Sequence, residues 1–252
     1  MQLMMPDWPA PNGVRAICTT RSGGVSALPY DSLNLGDHVG DDLAAVRANR
    51  NLLAQATGVR PVFLQQVHGS QVVTLTGDTA DGTPADGCVA VQPGVACTIM
   101  VADCLPVLFA DSRGRAVAAA HAGWRGLAGE GGCGILEQTH AQFRAAAGEG
   151  GETLAWLGPC IGPTAFEVGD EVKAAFDAHD ARASALFRPH APGKWLADLQ
   201  GLARLRLAAL GITRIHGNDG SLPWCTVGNP SRFFSHRRDR VSGRFAACIW
   251  LG

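Results

Sequence analysis

No Cys-x-x-Cys pair occurs among the eight cysteines of this sequence. That absence removes the usual zinc-ribbon and thioredoxin readings. The eight histidines include no His-x-His pair, which argues against a multicopper oxidase, whose several coppers need many His ligands. Charge of one sign is not in excess. The formal net charge is −1, so no global basic field advertises nucleic acid or an anionic membrane, and neither partner is expected. Long hydrophobic runs are missing too. The most apolar stretch, Val89 to Ala110, is interrupted by Pro93, Asp103 and Pro106 and alternates like strands, so a membrane span is not expected. The segment Met1 to Trp8 has no basic run followed by an apolar one. No secretory signal is read there, and the cytoplasm is the expected compartment. No fixed-period repeat, low-complexity tract or linker interrupts the chain.

What is present is an ordinary core-forming composition. Hydrophobic residues make up 46% of the 252 residues and charged residues 17%. A chain of this length buries a core without disulfide staples. The cysteines are therefore expected to be reduced and mostly packed as small hydrophobes in strands. The pattern predicts a strand over Val14 to Thr20, then a loop through Arg21-Ser22-Gly23-Gly24-Val25-Ser26. A helix capped by Asp41 follows and stops near Gly58. Short strands are expected over Val62–Val67, Gln71–Thr76, Val95–Val101, Val107–Asp111 and Ala116–Ala120, the last two joined by a turn at Ser112-Arg113-Gly114-Arg115. Helices are expected over Ile135–Ala147, Glu167–His179 and Leu199–Leu210, with strands over Thr153–Leu157 and Phe245–Leu251. The simplest organisation is one α/β or α+β domain over residues 1–252.

Three segments place reactive side chains beside small residues at the ends of apolar strands. They are Gln65-Gln66-Val67-His68-Gly69, Ala102-Asp103-Cys104-Leu105-Pro106 and Ala118-Ala119-Ala120-His121-Ala122-Gly123-Trp124-Arg125-Gly126. Two imidazoles and a thiolate suit zinc, and a catalytic zinc site uses three protein ligands with a fourth position open. Such a site makes hydroxide available at neutral pH. Asp103 and Gln66 are placed to orient a ligand or handle a proton. The same residues allow a metal-free reading, with Cys104 as nucleophile and His68 or His121 as its base. They also allow a blue-copper reading with Met100 as the weak axial ligand. The candidate ligands lie 36 and 17 positions apart, so only the fold can unite them. Arg125 and Arg47 could each hold a phosphate or carboxylate, or simply form a surface ion pair. Gly158-Pro159-Cys160-Ile161-Gly162-Pro163 reads as a rigid turn forming a wall, with Cys160 packed. Ser235-His236-Arg237-Arg238-Asp239 reads as a solvated basic loop.

Several motifs occur together and in a familiar order: Gly23-Gly24-Val25-Ser26, Asn34-Leu35-Gly36, Gln66-Val67-His68-Gly69, Ala102-Asp103-Cys104-Leu105-Pro106, His121-Ala122-Gly123-Trp124-Arg125-Gly126, Gly158-Pro159-Cys160-Ile161-Gly162 and Arg237-Arg238-Asp239. On these residues the chain strongly resembles the YfiH/YlmD-like laccase-domain family, also called the multicopper polyphenol oxidase or purine nucleoside phosphorylase family. The resemblance covers nearly the whole chain. It implies an α+β fold, a four-layer α/β/β/α sandwich with mixed β-sheets. It implies zinc at His68, Cys104 and His121, with copper as the alternative metal. Catalysis would rest on these three and Asp103, and substrate binding on Asn34, Arg47, Gln66 and Arg125. The implied reactions are phosphorolysis of adenosine, inosine and S-methyl-5′-thioadenosine, and deamination of adenosine at the same site. Copper-dependent phenol oxidation and editing of peptidoglycan precursors have also been ascribed to the family. The expected partners are a purine nucleoside and phosphate, and the expected state is a monomer or weak homo-oligomer. Two departures bear on substrate fit. The family usually has Ser-Tyr-Arg-Arg where this chain has Ser235-His236-Arg237-Arg238, and Gly129-Glu130-Gly131-Gly132 resembles a small insertion.

Overall fold

The computed structural model describes residues 1–252. In chain order the first half contains β1 (Leu3–Met4), β2 (Val14–Thr19), α1 (Leu43–Thr57), β3 (Arg60–Phe63), β4 (Val72–Thr74), β5 (Gly87–Ala90), β6 (Val95–Val101), β7 (Leu105–Asp111), β8 (Val117–Ala122) and α2 (Trp124–Ala128). The second half contains α3 (Ile135–Ala147), β9 (Thr153–Leu157), β10 (Glu167–Gly169), α4 (Asp170–Asp177), β11 (Phe187–Ala191), β12 (Lys194–Ala197), α5 (Leu199–Ala209), β13 (Arg214–Gly217), α6 (His236–Asp239) and β14 (Phe245–Leu251).

Every residue of β6, β7 and β8 is buried. Strands that apolar on both faces must be covered on both faces. Two sheets provide this, a five-stranded one in the order β1-β2-β14-β6-β3 and a six-stranded one in the order β13-β9-β7-β8-β5-β4. Both are mixed: β3 runs parallel to β6, β4 to β5 and β13 to β9, and the other pairings are antiparallel. Alternation along β7 assigns the layers. Leu108 and Ala110 pack with Cys97 and Ile99 of β6 and with Ala247 and Ile249 of β14, between the sheets. Val107 and Phe109 face the other way, into a cluster with Phe143 of α3 and Leu202 of α5. On the far side of the five-stranded sheet, Ala96, Cys248 and Trp250 pack with Leu53 of α1. The layers are therefore helix, sheet, sheet, helix, as the resemblance implies. Each fully buried Leu, Ile or Phe in these clusters contributes roughly 1.5–3 kcal/mol of transfer free energy. The alanines of β8 keep that strand thin where it is packed on both sides.

Several expected boundaries shift. The cap of α1 is Asp42, which accepts the N–H groups of Ala44 and Ala45. Asp41 instead accepts hydrogen bonds from Ser26 Oγ and Asn34 Nδ2. The strand expected to reach Val67 ends at Phe63, so His68 lies on a loop and not at a strand end. The segment expected as one helix from Glu167 begins as β10, paired with β12, and turns helical at Asp170. A third sheet, β10-β12-β11, escaped the sequence because β11 exposes Arg188 to Ala191 and shows no apolar alternation. All eight cysteines are free, and six are buried.

Candidate metal centre

His68, Cys104 and His121 arrive from three different places. His121 is the penultimate residue of β8, on the same face as Val117 and Ala119, and is buried. Cys104 sits in the turn between β6 and β7 and is half-buried. His68 is exposed on the loop after β3. Both short loops are held in backbone conformations that non-glycine residues rarely adopt, with φ of 61° at His68 and 101° at Asp103. Such positions persist only where neighbouring groups fix them. Here they do. The buried Asp86 carboxylate accepts the N–H groups of Val67, His68 and Gly69 at 3.1, 2.9 and 2.8 Å. Gln66 braces the same loop by exchanging two hydrogen bonds with the Met100 backbone. At the other turn, Asp103 accepts Thr226 Oγ1 and the Arg237 N–H, both at 2.6 Å.

The three candidate ligand atoms lie within 4.8 Å of one another. Cys104 Sγ is 3.6 Å from His68 Nε2. A tetrahedral zinc with ordinary Zn–S and Zn–N bonds sets its sulfur and nitrogen about 3.5 Å apart, so the donor set and its spacing fit that ion. His121 Nδ1 is 2.8 Å from Asp86 Oδ1, which leaves Nε2 for the cluster. Gly123 is required beside it, since a Cβ there would stand 2.8 Å from His68 Cδ2 and 3.0 Å from Cys104 Sγ. Burial opposes ionisation of Cys104, but His121 and His68 outweigh it and lower the thiol to about 6. Burial likewise opposes protonation of His121, and Cys104 and Asp86 reverse it, raising the imidazole to about 9. Without metal the pair is therefore a thiolate beside an imidazolium, the charge pattern a metal cation would replace.

The cluster opens on a cavity of about 470 Å³ walled by Trp124, Phe166 and Ile161 and by three arginines, Arg125, Arg237 and Arg244. Gln66, Asp103 and Arg125 line this cavity. Arg47 does not. It projects from an exposed position on α1. Asn34 is fully buried, its side chain hydrogen-bonded to Gly36, Asp41 and the Arg244 backbone. Ser235 to Asp239 is no solvated loop. Ser235 caps α6, and His236 and Arg237 line the cavity. Met100 is buried in the cluster that contains Leu35 and Leu53 and acts through its backbone on Gln66. Asp86 and Arg244 went unread in the sequence. Their only signals were an acid between Ala85 and Gly87 at the start of an apolar run and an arginine opening the last strand.

Fold and cluster together define a class, a four-layer sandwich whose two-histidine, one-cysteine candidate metal centre opens on a cationic cavity. The family model described as multi-copper polyphenol oxidoreductase laccase matches residues 15–252, and the chain belongs to that family. It is 52% identical over 249 residues to a protein of Pseudomonas aeruginosa named purine nucleoside phosphorylase, covering 98% of each chain. It is 50% identical over 252 residues to purine nucleoside phosphorylase YfiH of Escherichia coli, covering 99% of each. Among solved structures, a Neisseria meningitidis protein of the DUF152 family matches with a TM-score of 0.91 at 44% identity, over 100% of this chain and 99% of that one. YlmD of Geobacillus stearothermophilus matches with a TM-score of 0.84 at 32% identity, over 100% and 96%. No helix is long and apolar enough to cross a membrane.

Proposed function

We propose that this chain is a zinc-dependent purine nucleoside phosphorylase that also deaminates adenosine, with adenosine, inosine and S-methyl-5′-thioadenosine as substrates. The observation that carries the reading is the convergence of His68, Cys104 and His121 within 4.8 Å at a cavity walled by aromatic and arginine side chains. The names of the Pseudomonas and Escherichia relatives support the nucleoside class. On this reading residues 1–252 act as one laccase-type domain, a cytoplasmic monomer or weak homo-oligomer.

The metal would be held by His121 Nε2, His68 Nε2 and Cys104 Sγ. When bound it would supply a Lewis acid and, at neutral pH, a hydroxide source. The rest of the work falls to the chain. Trp124 and Phe166 offer flat apolar faces for a purine ring. The arginines supply a cationic wall for phosphate. In phosphorolysis a phosphate oxygen bonds to C1′ as the C1′–N9 bond breaks, through an oxocarbenium-like state. The bonding pair leaves with the purine, which takes up a proton from phosphate or water, and the sugar becomes ribose 1-phosphate, or its 5-methylthio counterpart from S-methyl-5′-thioadenosine. In deamination the C6 amino group is exchanged for oxygen and leaves as ammonia. Asp103 serves both by position: with both carboxylate oxygens accepting 2.6 Å hydrogen bonds, it fixes the Cys104 turn and Arg237.

Incubation with adenosine and phosphate tests the proposal. Release of adenine and ribose 1-phosphate, lost in Cys104→Ala, supports it. Turnover retained in Cys104→Ala removes it. Two rival activities are checked on the same preparation. Oxygen consumption with phenols that scales with copper loading would favour an oxidase, and turnover of a UDP-muramoyl-serine compound in place of adenosine would favour a precursor-editing amidase.

A further inference from the structure

The Asn34-Leu35-Gly36 segment lies outside the cavity at the candidate metal centre, yet it is built around a side chain that lines it. Asn34 Oδ1 accepts the Arg244 N–H at 2.8 Å. The Leu35 N–H donates to the Arg244 carbonyl at 3.0 Å. A Cβ on Gly36 would lie 2.8 Å from Arg244 Cγ, so only glycine lets the arginine stem lie along this segment. Asn34 is itself fixed, accepting the Gly36 N–H at 2.9 Å and donating to Asp41 at 2.9 Å. The three residues form a bracket that aims Arg244.

The aimed group is incompletely satisfied. Arg244 Nη1 donates to the Ser242 and Gly243 carbonyls at 2.8 and 3.0 Å. Its Nε and Nη2 donate to nothing in the chain, and no carboxylate lies within ion-pair distance. Arg50, by contrast, pairs with Asp37, and the buried Arg206 with Glu137. Arg244 is half-buried and this unpaired edge still reaches solvent, so it is free to take an anion in place of water. Arg244 shares its cavity with Cys104 and His38, and its charge is felt at Cys104 and Asp103. The other two cavity arginines are less suited. Arg125 is exposed, and Arg237, whose Nη1 likewise donates to two carbonyls, has no glycine-lined bracket like the one along the Arg244 stem.

We propose that the Nε–Nη2 edge of Arg244, with His38 beside it, is the anion subsite of the cavity and holds free phosphate, and that Asn34-Leu35-Gly36 is its positioning bracket. The identity of the anion rests on the phosphorylase reading above. The forked edge matches two oxygens of one phosphate, a match that lysine cannot reproduce.

Calorimetric titration of the purified protein with inorganic phosphate tests this, alongside Arg244→Lys, Arg244→Gln and Gly36→Ala, each checked for folding by circular dichroism. Phosphate affinity should fall about tenfold in Arg244→Lys and about a hundredfold in Arg244→Gln. Gly36→Ala should weaken it without touching the charge. In turnover, the KM for phosphate should rise while that for adenosine stays within about twofold. If Arg244→Gln does not fold, Gly36→Ala and Arg244→Lys carry the test. Unchanged phosphate affinity in the folded variants overturns the proposal. So does an Arg244-dependent affinity for AMP with none for inorganic phosphate, which would place the anion on the nucleoside. Arg244-dependent phosphate binding by a protein that releases no adenine would leave the subsite standing and remove the phosphorylase reading.

Discussion

His121 Nδ1 lies 2.8 Å from Asp86 Oδ1, and the carboxylate that orients this ring also accepts the backbone N–H of His68. One buried acid thus fixes two of the three candidate ligands, one through its ring and the other through its loop. His121 and Asp86 are also joined through the backbone, where the His121 N–H donates to the Asp86 carbonyl at 2.7 Å. Burial works against ionisation of Asp86, but His121 and the Gly69 and Val67 N–H groups hold its pKa below the usual carboxylate value.

Asp86→Asn should weaken zinc binding by about 10- to 100-fold, the usual effect of losing the partner that orients a ligand imidazole. An amide cannot accept all the N–H groups that the carboxylate does, so the His68 loop should loosen too. Competition against a chromophoric chelator measures the change. Zinc affinity equal to that of the parent protein would show that Asp86 plays no part in the centre.

Gly123→Ala should lose metal while keeping the fold, because the new Cβ presses on His68 and on Cys104 Sγ, both of which can give way. Gly126→Ala should behave differently. Its Cβ would meet the Gly69 carbonyl at 2.7 Å, a backbone atom, and overpacking of this kind costs about 1–3 kcal/mol of stability. Metal content and thermal unfolding, measured together, separate the two effects.

In metal-free protein, Cys104 should be the thiol that iodoacetamide reaches first at mildly acidic pH. With its pKa lowered to about 6, it is mostly thiolate above that value, and its alkylation rate should climb through pH 6. His121→Ala removes the main stabilising charge and should move this midpoint up toward about 8.5, the ordinary thiol value. Added zinc should protect Cys104. Peptide mapping of the alkylated sites reads all three results.

Acid should weaken the fold partly through Asp111, whose side chain is buried. Burial opposes its ionisation, but the Arg115 guanidinium and nearby N–H groups prevail and depress its pKa. A depressed carboxylate stabilises fully above its unfolded value of about 3.9 and loses that contribution as pH falls through the lower folded value. Asp111→Asn should lower the unfolding temperature by roughly 2–6 °C at pH 7, and the difference should shrink as pH falls below the unfolded value of about 3.9. A gap as wide at acid pH as at pH 7 would exclude this role.

The central strands and the helices over Ile135–Ala147 and Leu199–Ala209 were legible because burial on one or both faces writes itself into apolar periodicity. His68, Cys104 and His121 were legible as types at the ends of apolar runs, and the motifs around them carried the resemblance. The supports were not legible. Asp86 is 18 positions from His68 and 35 from His121, and no local spacing reports a carboxylate shared across two sheet edges. Arg244 and Asn34 meet across 210 positions. The cavity role of His236 and Arg237 was hidden because a four-residue helix leaves no period to read.

Elemental analysis of protein purified without added metal, run beside Cys104→Ala, tests the central claim most directly. The account predicts about one zinc per chain in the parent protein, with little copper, and almost none in the variant. A variant that keeps its zinc, or a parent that carries none and still turns over adenosine with phosphate, would contradict it.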